Sequence, residues 1–447
     1  MTTVQQPPAA PSRPGVRPKV VARSGLYAVL AANVAVVTVF FVQAGFASNT
    51  LIVLGRLTGL YGALLMAFQL LLVARLPWFD RRIGMDRLTS WHRWTGFSVL
   101  WLLLTHAVFI VFGYADSSSL DPVNQLVDLA ETVEGVLRAI VALALIIVIG
   151  VVSARAARRR LAYETWHFIH LYTYVAVVLA FTHQVAAGTT FASSEPAKTY
   201  WYGVWGFALA AVFLGRLVLP LWRNWRHQLR VTAVVPEADN VVSIYMTGRD
   251  LDKMPARAGQ FFMWRFLTPD RWWQANPFSL SAAPDGRQLR LTAKAAGDGS
   301  AALKHVKVGT RVFAEGPYGA FTAMHRTRPE SVLIAGGVGV TPIRALLEEI
   351  DGHAVILYRV ATDRDAVLYD ELRELAHAKG CELHLVTGPV SPDKLAPSEL
   401  VRLVPDIRER DVFLCGPPPM MNAVLGNLRE LDVPKQQIHF ERFSLAG

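Results

Sequence analysis

Cysteine is nearly absent from the chain: 447 residues hold two, Cys381 and Cys415. Both lie in the second half, which excludes a disulfide framework and a cysteine-built metal centre and fits a reducing, cytoplasmic setting. Internal repeats of solenoid type are missing too, so stacked-repeat architectures are excluded. Charge is missing from long stretches of the first half, where apolar runs approach twenty residues. The second half instead alternates apolar and charged residues in the manner of soluble folds, and the change falls near Arg223. Hydrophobic residues make up 52% of the chain, more than a soluble protein of this size needs, so part of it belongs in a lipid bilayer. The net charge of +10 sits in short loops rather than on one soluble face, which argues against nucleic acid as a partner.

Six stretches read as membrane-spanning helices, over residues 25–44, 50–73, 91–113, 135–152, 166–186 and 201–221, each long enough for a hydrocarbon core ~30 Å thick. The first has a second reading as a secretory signal, although its apolar run is long for one. Lys and Arg set the orientation. Arg13, Arg17, Lys19 and Arg23 in the tail, Arg75, Arg81, Arg82 and Arg87 in the second loop, Arg155, Arg158, Arg159 and Arg160 in the fourth, and Arg223 and Arg226 at the exit mark the inner side. The third loop is acidic, with Asp116, Asp121, Asp128, Glu131 and Glu134. By the positive-inside rule both termini and the soluble half face the cytoplasm, with the plasma membrane as the expected location.

Ionisable residues inside such helices are costly and are kept for function. His92 and His106 fall on the third stretch, His170 and His183 on the fifth, and both stretches run from inside to outside. The step from His92 to His106 rises ~21 Å and returns to within about 40° of the same face. His170 matches the depth of His92, and His183 that of His106. Two parallel helices would then sandwich an inner and an outer haem, each iron held by two imidazoles with no open position. On an ideal helix the step from His170 to His183 leaves the side chains about 140° apart, so a local bulge or a long reach is required. His167, one turn earlier, is an alternative inner ligand. The plainer reading is four isolated, hydrogen-bonded membrane histidines; their matched depths favour ligation. Arg56, near the outer end of the second stretch, has two readings: partner of a propionate or small anion, or snorkelling to the outer surface.

From about 226 to 326 short strands and Gly/Pro turns predict a small antiparallel barrel. In Asn276-Pro277-Phe278-Ser279-Leu280-Ser281 a Pro-fixed turn presents an aromatic ring and a hydroxyl, which suits a flat ring system: Phe278 stacks and Ser279 hydrogen-bonds near its reactive nitrogen. Lys294 precedes Gly297-Asp298-Gly299-Ser300, which opens a helix over 300–306 whose amide groups suit a pyrophosphate, though an ordinary capped helix reads the same way. Gly316-Pro317-Tyr318-Gly319 closes the barrel. Beyond 331 strand and helix alternate, with strands at 332–335, 355–358, 383–386 and 412–415, which predicts a parallel, doubly wound sheet. Its first turn, Gly336-Gly337-Val338-Gly339-Val340-Thr341-Pro342, lets backbone approach a ligand and then starts a helix, so a dinucleotide is the natural ligand. The spacing is not the G-x-G-x-x-G fingerprint. Arg359 after the second strand, with Arg364 as a second candidate, would bind a 2′-phosphate and favour NADPH; surface solvation is the alternative for both, more so for Arg364. Cys415-Gly416-Pro417-Pro418 ends the fourth strand, placing Cys415 near a nicotinamide unless it is a buried structural thiol. Phe443 would cover the flavin ring from the other side.

In their order, NPFSLS, GGVGVTP, CGPPPM and the terminal ERF, with four membrane histidines at steps of fourteen and thirteen, resemble the ferric reductase and NADPH oxidase superfamily. The resemblance spans about residues 50–447, and that family shows the thirteen-residue step on its fifth helix. It implies that NADPH gives hydride to FAD, and that electrons then pass singly to the haem of His92 and His170 and on to that of His106 and His183. Pro277, Phe278 and Ser279 would contact flavin, Gly337, Gly339, Thr341 and Pro342 the dinucleotide, and Cys415 and Phe443 the hydride-transfer region. Two positions depart from the pattern. Asn276 stands where His or Arg is usual, and Ile110 stands one turn beyond the outer ligand, where eukaryotic oxidases carry a second histidine.

The expected architecture is a basic, Pro-rich tail over 1–23 and a six-helix transmembrane haem bundle over 24–222. An antiparallel β-barrel flavin domain follows over 226–326, then an α/β doubly wound parallel-sheet nucleotide domain over 329–447. The expected cofactors are two b-type haems, FAD and NAD(P)H, with NADPH favoured; the expected activity is electron transfer to an extracytoplasmic acceptor, oxygen or a ferric chelate. A quinone or partner-protein reductase is the alternative enzyme, and a haem sensor or transporter with a nucleotide-binding domain the non-catalytic one.

Overall fold

In lipid a backbone has only itself to hydrogen-bond, so the apolar runs of the first half have one stable solution, the α-helix. The computed structural model describes residues 18–158, 160–161, 163–192, 194–388 and 392–442. Its first helices are α1 (Pro18–Gln43), α2 (Thr50–Leu72), α3 (Pro77–Ile83), α4 (Met85–Ser118), α5 (Pro122–Thr132) and α6 (Val136–Ser153). They are followed by α7 (Tyr163–Leu171), α8 (Thr173–Ala187) and α9 (Glu195–Phe213), the last continuing through a π-helical turn at Leu214–Val218 into α10 (Leu219–His227). Among the described residues six segments are long and apolar enough to cross a membrane: Val21–Gln43, Thr50–Leu72, Arg87–Ser118, Val136–Ser153, Thr165–Ala187 and Glu195–His227. They coincide with the six expected stretches, and the third and sixth run well past the expected ends. Arg13, Arg17, Arg159 and Phe443 lie outside the described residues.

The chain forms two compact units, Met1–Val73 with Thr89–Val212, and Ala74–Leu88 with Phe213–Gly447. In the first, Trp201, Trp205, Phe191, Leu64 and Val37 are buried together. Polar side chains join helices where lipid supplies no water: Trp201 Nε1 donates to Gln184 Oε1 at 3.0 Å, and the Thr38 and Tyr61 hydroxyls meet at 2.8 Å. Along α2, Gly55, Gly59 and Gly62 admit α4 closely. A Cβ at these positions would lie 2.9 Å from Ile110, 2.5 Å from His106 and 3.0 Å from Leu103.

In the second unit, β1 (Arg230–Ala238), β2 (Val241–Thr247), β3 (Phe261–Phe266), β4 (Asn276–Ser279), β5 (Gln288–Lys294) and β6 (Val312–Tyr318) form two three-stranded antiparallel sheets, ordered β1-β2-β5 and β4-β3-β6. Isolated bridges Arg230–Arg311 and Leu280–Leu291 link one sheet to the other. Ile244, Met246, Phe262, Trp264 and Leu291 fill the space between them. The expected helix at 300–306 starts earlier and is tighter, a turn of α-helix at Asp298–Ala301 followed by a 3₁₀ turn at Ala302–His305.

Strands β7 (Ser331–Gly336), β8 (Ala354–Arg359), β9 (Glu382–Val386), β10 (Asp411–Cys415) and β11 (Ile438–Glu441) make a parallel sheet ordered β11-β10-β7-β8-β9. Helices α11 (Val340–Glu349), α12 (Tyr369–Ala378) and α13 (Pro418–Glu430) connect its strands. Its inner strands read as unbroken apolar runs because both faces are covered: Leu333, Ala335, Ile343 and Phe413 pack on one side, Val332, Ile334, Leu414 and Met421 on the other.

The Ala74–Leu88 segment packs against β6 in this same unit. Arg75 pairs with Glu315, which also accepts from Arg265 at 3.2 Å and from the Tyr318 hydroxyl at 3.1 Å. Burial alone would raise the Glu315 pKa, but Arg75 and Arg265 outweigh it and hold the carboxyl below its usual range. His325 Nε2 meets the Arg81 carbonyl at 2.9 Å, and Met85 packs with Phe261, Met263 and Tyr318. Asp80, in the middle of this contact, is 1% exposed, and burial pushes its carboxyl up to about 7 despite the pull of Arg75 and Arg216.

A carboxyl whose folded pKa is raised stabilises the fold in acid, and that contribution is lost as pH climbs from the unfolded value of about 4 through about 7. Asp80→Asn removes this term. The variant should therefore gain melting temperature over the parent as pH rises from 5 to 8. Parallel melting curves over that range would show Asp80 ionised throughout.

Candidate functional site

The first group of candidate residues lies in the helical unit. His92 and His106 are carried by α4, His170 by α7 and His183 by α8. The His92 and His170 ring centres are 6.0 Å apart, and those of His106 and His183 are 6.4 Å apart. Along the thirteen-residue step α7 ends at Leu171 and α8 begins at Thr173, with Tyr172 between them still in the right-handed helical region, and Thr173 Oγ1 donates to the His170 carbonyl. The His170 ring faces that of His92.

Neighbours hold these rings. The Gly55 carbonyl can only accept, so His106 Nδ1 donates to it, at 2.8 Å, which leaves Nε2 with a lone pair to offer. Gly59 gives the same imidazole its space, and Gly135, at φ 86°, runs against the His183 backbone. Trp166 stacks on His170 with ring centres 5.1 Å apart, and Arg158 lies 4.7 Å over Trp166. Gly55 and Gly59 were not singled out from sequence, although their G-x-x-x-G spacing on a spanning helix marks a face of close approach. Arg56 has Nε and Nη2 buried with no hydrogen-bond partner among the described residues, and its guanidinium lies 5.5 Å from the Phe41 ring centre. Ile110 fills the space against Gly55.

The second group gathers in the strand-rich unit. β4 carries Asn276, Pro277, Phe278 and Ser279, paired with β3 from Trp264 to Phe261. Trp264 Nε1 donates to the Phe278 carbonyl at 2.9 Å, fixing the turn from behind. The Ser279 hydroxyl is buried and has no partner among the described residues. The Asn276 amide faces Gly299, whose Cβ would lie 3.3 Å from Asn276 Oδ1. Ser300 Oγ accepts from the Ala296 and Gly297 amides at 2.8 and 3.2 Å and so closes the turn before it. Lys294 is exposed at the end of β5, near enough to Asp365 to act on its charge.

The sheet order places the glycine turn. Successive strands run from β7 to β8 and β9 on one side, while β10 and β11 lie on the other, so the order reverses between β7 and β10. In open sheets the crevice at such a reversal, at the carboxyl ends of the strands, is where ligands bind. Gly336, Gly337 and Gly339 leave β7 at this point, and Cys415 and Gly416 end β10 beside them. A Cβ on Gly339 would lie 2.3 Å from the Cys415 carbonyl oxygen, and one on Gly416 3.0 Å from the Gly336 Cα. Gly337 has φ 51°. Thr341 donates to the Val338 carbonyl at 3.0 Å, and Pro342 is buried in the first turn of α11. The Cys415 side chain is fully buried with Ala335, Val340 and Phe413, and its backbone carbonyl is the part that lies against the glycine turn. Arg359 is 9% exposed, and its guanidinium donates to the carbonyls of Val360, Val386 and Gly388, the last at 2.8 Å.

Three family models match successive parts of the chain. Residues 58–181 match the model of the ferric reductase like transmembrane component, residues 226–322 that of an FAD-binding domain, and residues 333–425 that of the oxidoreductase NAD-binding domain. The chain therefore joins a ferric reductase like transmembrane component to an FAD-binding domain and an oxidoreductase NAD-binding domain. It is 33% identical over 233 residues to the 3-ketosteroid-9-alpha-monooxygenase, ferredoxin reductase component, of Mycobacterium tuberculosis, a match covering 48% of this chain and 65% of that protein. It is 31% identical over 286 residues to a flavohemoprotein of Vibrio cholerae, covering 56% and 70%. Among solved structures, the flavohem-like FAD/NAD binding domain of nitric oxide dioxygenase from Vibrio cholerae is 26% identical, with 48% of this chain and 98% of that chain covered and a TM-score of 0.41. The ferredoxin reductase in carbazole 1,9a-dioxygenase is 25% identical, covering 49% and 69%, with a TM-score of 0.40.

The close approach at Gly339 generates a test. Gly339→Ala must push the turn away from the Cys415 carbonyl, so the KM for NAD(P)H should rise about tenfold, the effect of about 1.4 kcal/mol, while bound FAD is unchanged. Steady-state flavin reduction and FAD content measure the two separately. Loss of FAD in step with activity would put the damage in the fold instead.

Proposed function

The chain belongs to the ferric reductase and NADPH oxidase superfamily, and from that premise we propose that it is a transmembrane NAD(P)H oxidoreductase that delivers electrons to an extracytoplasmic acceptor. Bound FAD supplies the conversion of a two-electron hydride donor to single electrons, and two b-type haems supply the path across the membrane to oxygen or a ferric chelate.

The observation that carries this reading is the facing of imidazoles in two separate pairs. Two metal–nitrogen bonds of ~2 Å, with each ring centre ~1.1 Å beyond its nitrogen, would put the ring centres about 6.3 Å apart. The observed separations are 6.0 and 6.4 Å. Among the described residues no three His, Cys, Asp or Glu gather, so a pair of imidazoles suits an iron whose other ligands come from its own macrocycle. His92 and His170 would hold the inner haem, His106 and His183 the outer one. Gly55 fixes the tautomer of His106, and Arg56 brings two buried N–H nitrogens, unpartnered among the described residues, that suit a propionate.

In the barrel domain, 226–326, the orphaned Ser279 hydroxyl supports a hydrogen bond to the flavin ring, since a buried polar group without a partner asks for one. Phe278 and Pro277 would shape the ring's seat, and Asn276 with Gly299, Ser300 and Lys294 would frame the pyrophosphate. In the nucleotide domain, 329–447, Gly336, Gly337 and Gly339 with Thr341, Pro342 and Gly416 would receive the dinucleotide at the strand-order reversal. Cys415 and Phe443 would border the hydride-transfer region, Cys415 through the backbone that shapes it. Arg359, tied to three carbonyls, would act by fixing the end of β8, and choice between NADH and NADPH would fall to neighbours such as Arg364. No side chain is asked to act as acid, base or nucleophile. The basic inner loops support cytoplasmic termini in the plasma membrane.

An anaerobic absorbance spectrum of the detergent-purified protein with FAD, before and after NADPH, tests the reading. Reduced low-spin haem bands should appear, and His92→Ala and His106→Ala should each remove one haem. Gly59→Val, which drives a side chain into the His106 ring, should lower haem content with every histidine still in place. Absence of haem, or haem that none of these changes affects, would sink the proposal.

A further inference from the structure

The flavin turn and the dinucleotide turn end on one acceptor. Ser281, two residues beyond Ser279, is fully buried. Its carbonyl accepts from Arg290 Nη2 at 2.8 Å and from Arg344 Nη1 at 3.1 Å. Its hydroxyl accepts from Arg290 Nε at 3.0 Å and from Thr292 Oγ1 at 2.8 Å. Arg290 belongs to β5 and Arg344 to α11, two residues past Pro342. Both arginines also meet Glu371, in the first turn of α12: Arg290 Nη1 lies 3.0 and 2.9 Å from its two oxygens, and Arg344 Nε 2.7 Å from one of them. Arg344 pairs with Glu348 at 2.9 Å as well, and Glu348 in turn accepts from the Ala283 amide.

Neither arginine has a part in the chemistry proposed above. A charge network with side chains as buried as these, 5% exposed for Arg290 and 12% for Arg344, contributes little net stability over an apolar seam of the same shape. What it supplies is geometry. A planar guanidinium donates in two fixed directions at once, so each arginine joins Ser281 to Glu371 at set distances. The strand after the flavin turn, the helix after the glycine turn and the next helix are thereby tied together through one carbonyl.

We propose that Arg344, held by Glu371 and seated beside Arg290 on the Ser281 carbonyl, is a positioning residue that sets the separation between flavin and nicotinamide. The proposal rests on the hydride-transfer reading above. Reacting atoms must approach to ~3–3.5 Å, and a misplacement of ~1 Å costs as much as ~100-fold in rate.

The test uses the full-length protein loaded with FAD and follows flavin reduction anaerobically by stopped flow at saturating NAD(P)H. In Arg344→Gln the limiting rate should fall ~10–100-fold, with KM changed less than about twofold and FAD and haem contents unchanged. The deuterium isotope effect from donor labelled at the transferred hydrogen should grow, because hydride transfer becomes fully rate-limiting. Arg344→Lys keeps the charge but cannot span both acceptors, so it should not restore the rate. Glu371→Gln should show the same pattern in milder form, and the double variant should be no slower than Arg344→Gln, since the residues act as a unit. A lowered melting temperature with an unchanged limiting rate, or full rescue by lysine, would overturn the proposal. If the parent protein itself shows no flavin reduction by NAD(P)H, the functional reading falls and this one with it; if the parent reduces flavin and Arg344→Gln does so equally fast, only the positioning role falls.

Discussion

An imidazole carried by a membrane helix has no water to orient it, so the protein itself must fix its ring and its tautomer. That constraint runs through the helical unit. The carbonyl of Gly55 assigns the proton of His106, and the missing side chain of Gly59 gives the ring its place. Both follow from a helix stripped of side chains along one face, which elsewhere in membranes serves only to bring helices together. Here the same close packing also aims a nitrogen.

The strand-rich unit solves a related problem with backbone instead of rings. Where β7 and β10 diverge, the glycine turn approaches the Cys415 carbonyl too closely for any Cβ, and the crevice it borders is formed by strand order rather than by a special side chain. A ligand held there is met by amides and glycines, which contribute shape and partial charge but no reactive group. Such a site suits chemistry that belongs to cofactors, with the chain's task being to hold separations.

Much of this was legible in the sequence, for physical reasons that also explain what was not. Spanning helices announce themselves because charge is excluded from hydrocarbon. Their ends do not, because α4 and the last spanning segment stay helical beyond the apolar window, starting at Met85 and running on to His227. The fourteen-residue step of α4 fits an ideal helix and could be read directly, whereas the thirteen-residue step does not fit one, and the facing of His183 and His106 is seen only once the helices are placed. In the nucleotide domain β7, β8 and β10 stood out as apolar runs buried on both faces, and β9 at the sheet edge as a shorter run broken by His384. The fifth, β11, pairs with β10 along Ile438–Glu441, where apolar and polar residues alternate over only four positions and leave no such run. The glycine and Pro-Phe-Ser turns were visible as punctuation, but the arginines joining them were not, since Arg290 and Arg344 read as ordinary charges until the fold brings them to Ser281.

A buried ionic seam is found at Ser281 where an apolar one would hold as firmly. Apolar side chains resist separation but tolerate sliding, because dispersion falls off gently with lateral shift. Hydrogen bonds between a planar guanidinium, a carboxylate and a carbonyl weaken steeply once their angles change. A unit that must bring two flat rings to a fixed approach gains little from additional cohesion and much from resistance to sliding. Ser281 is well placed to transmit that resistance: two residues from the orphaned hydroxyl of Ser279, it lets α11 and α12 act on the flavin turn through a single peptide carbonyl.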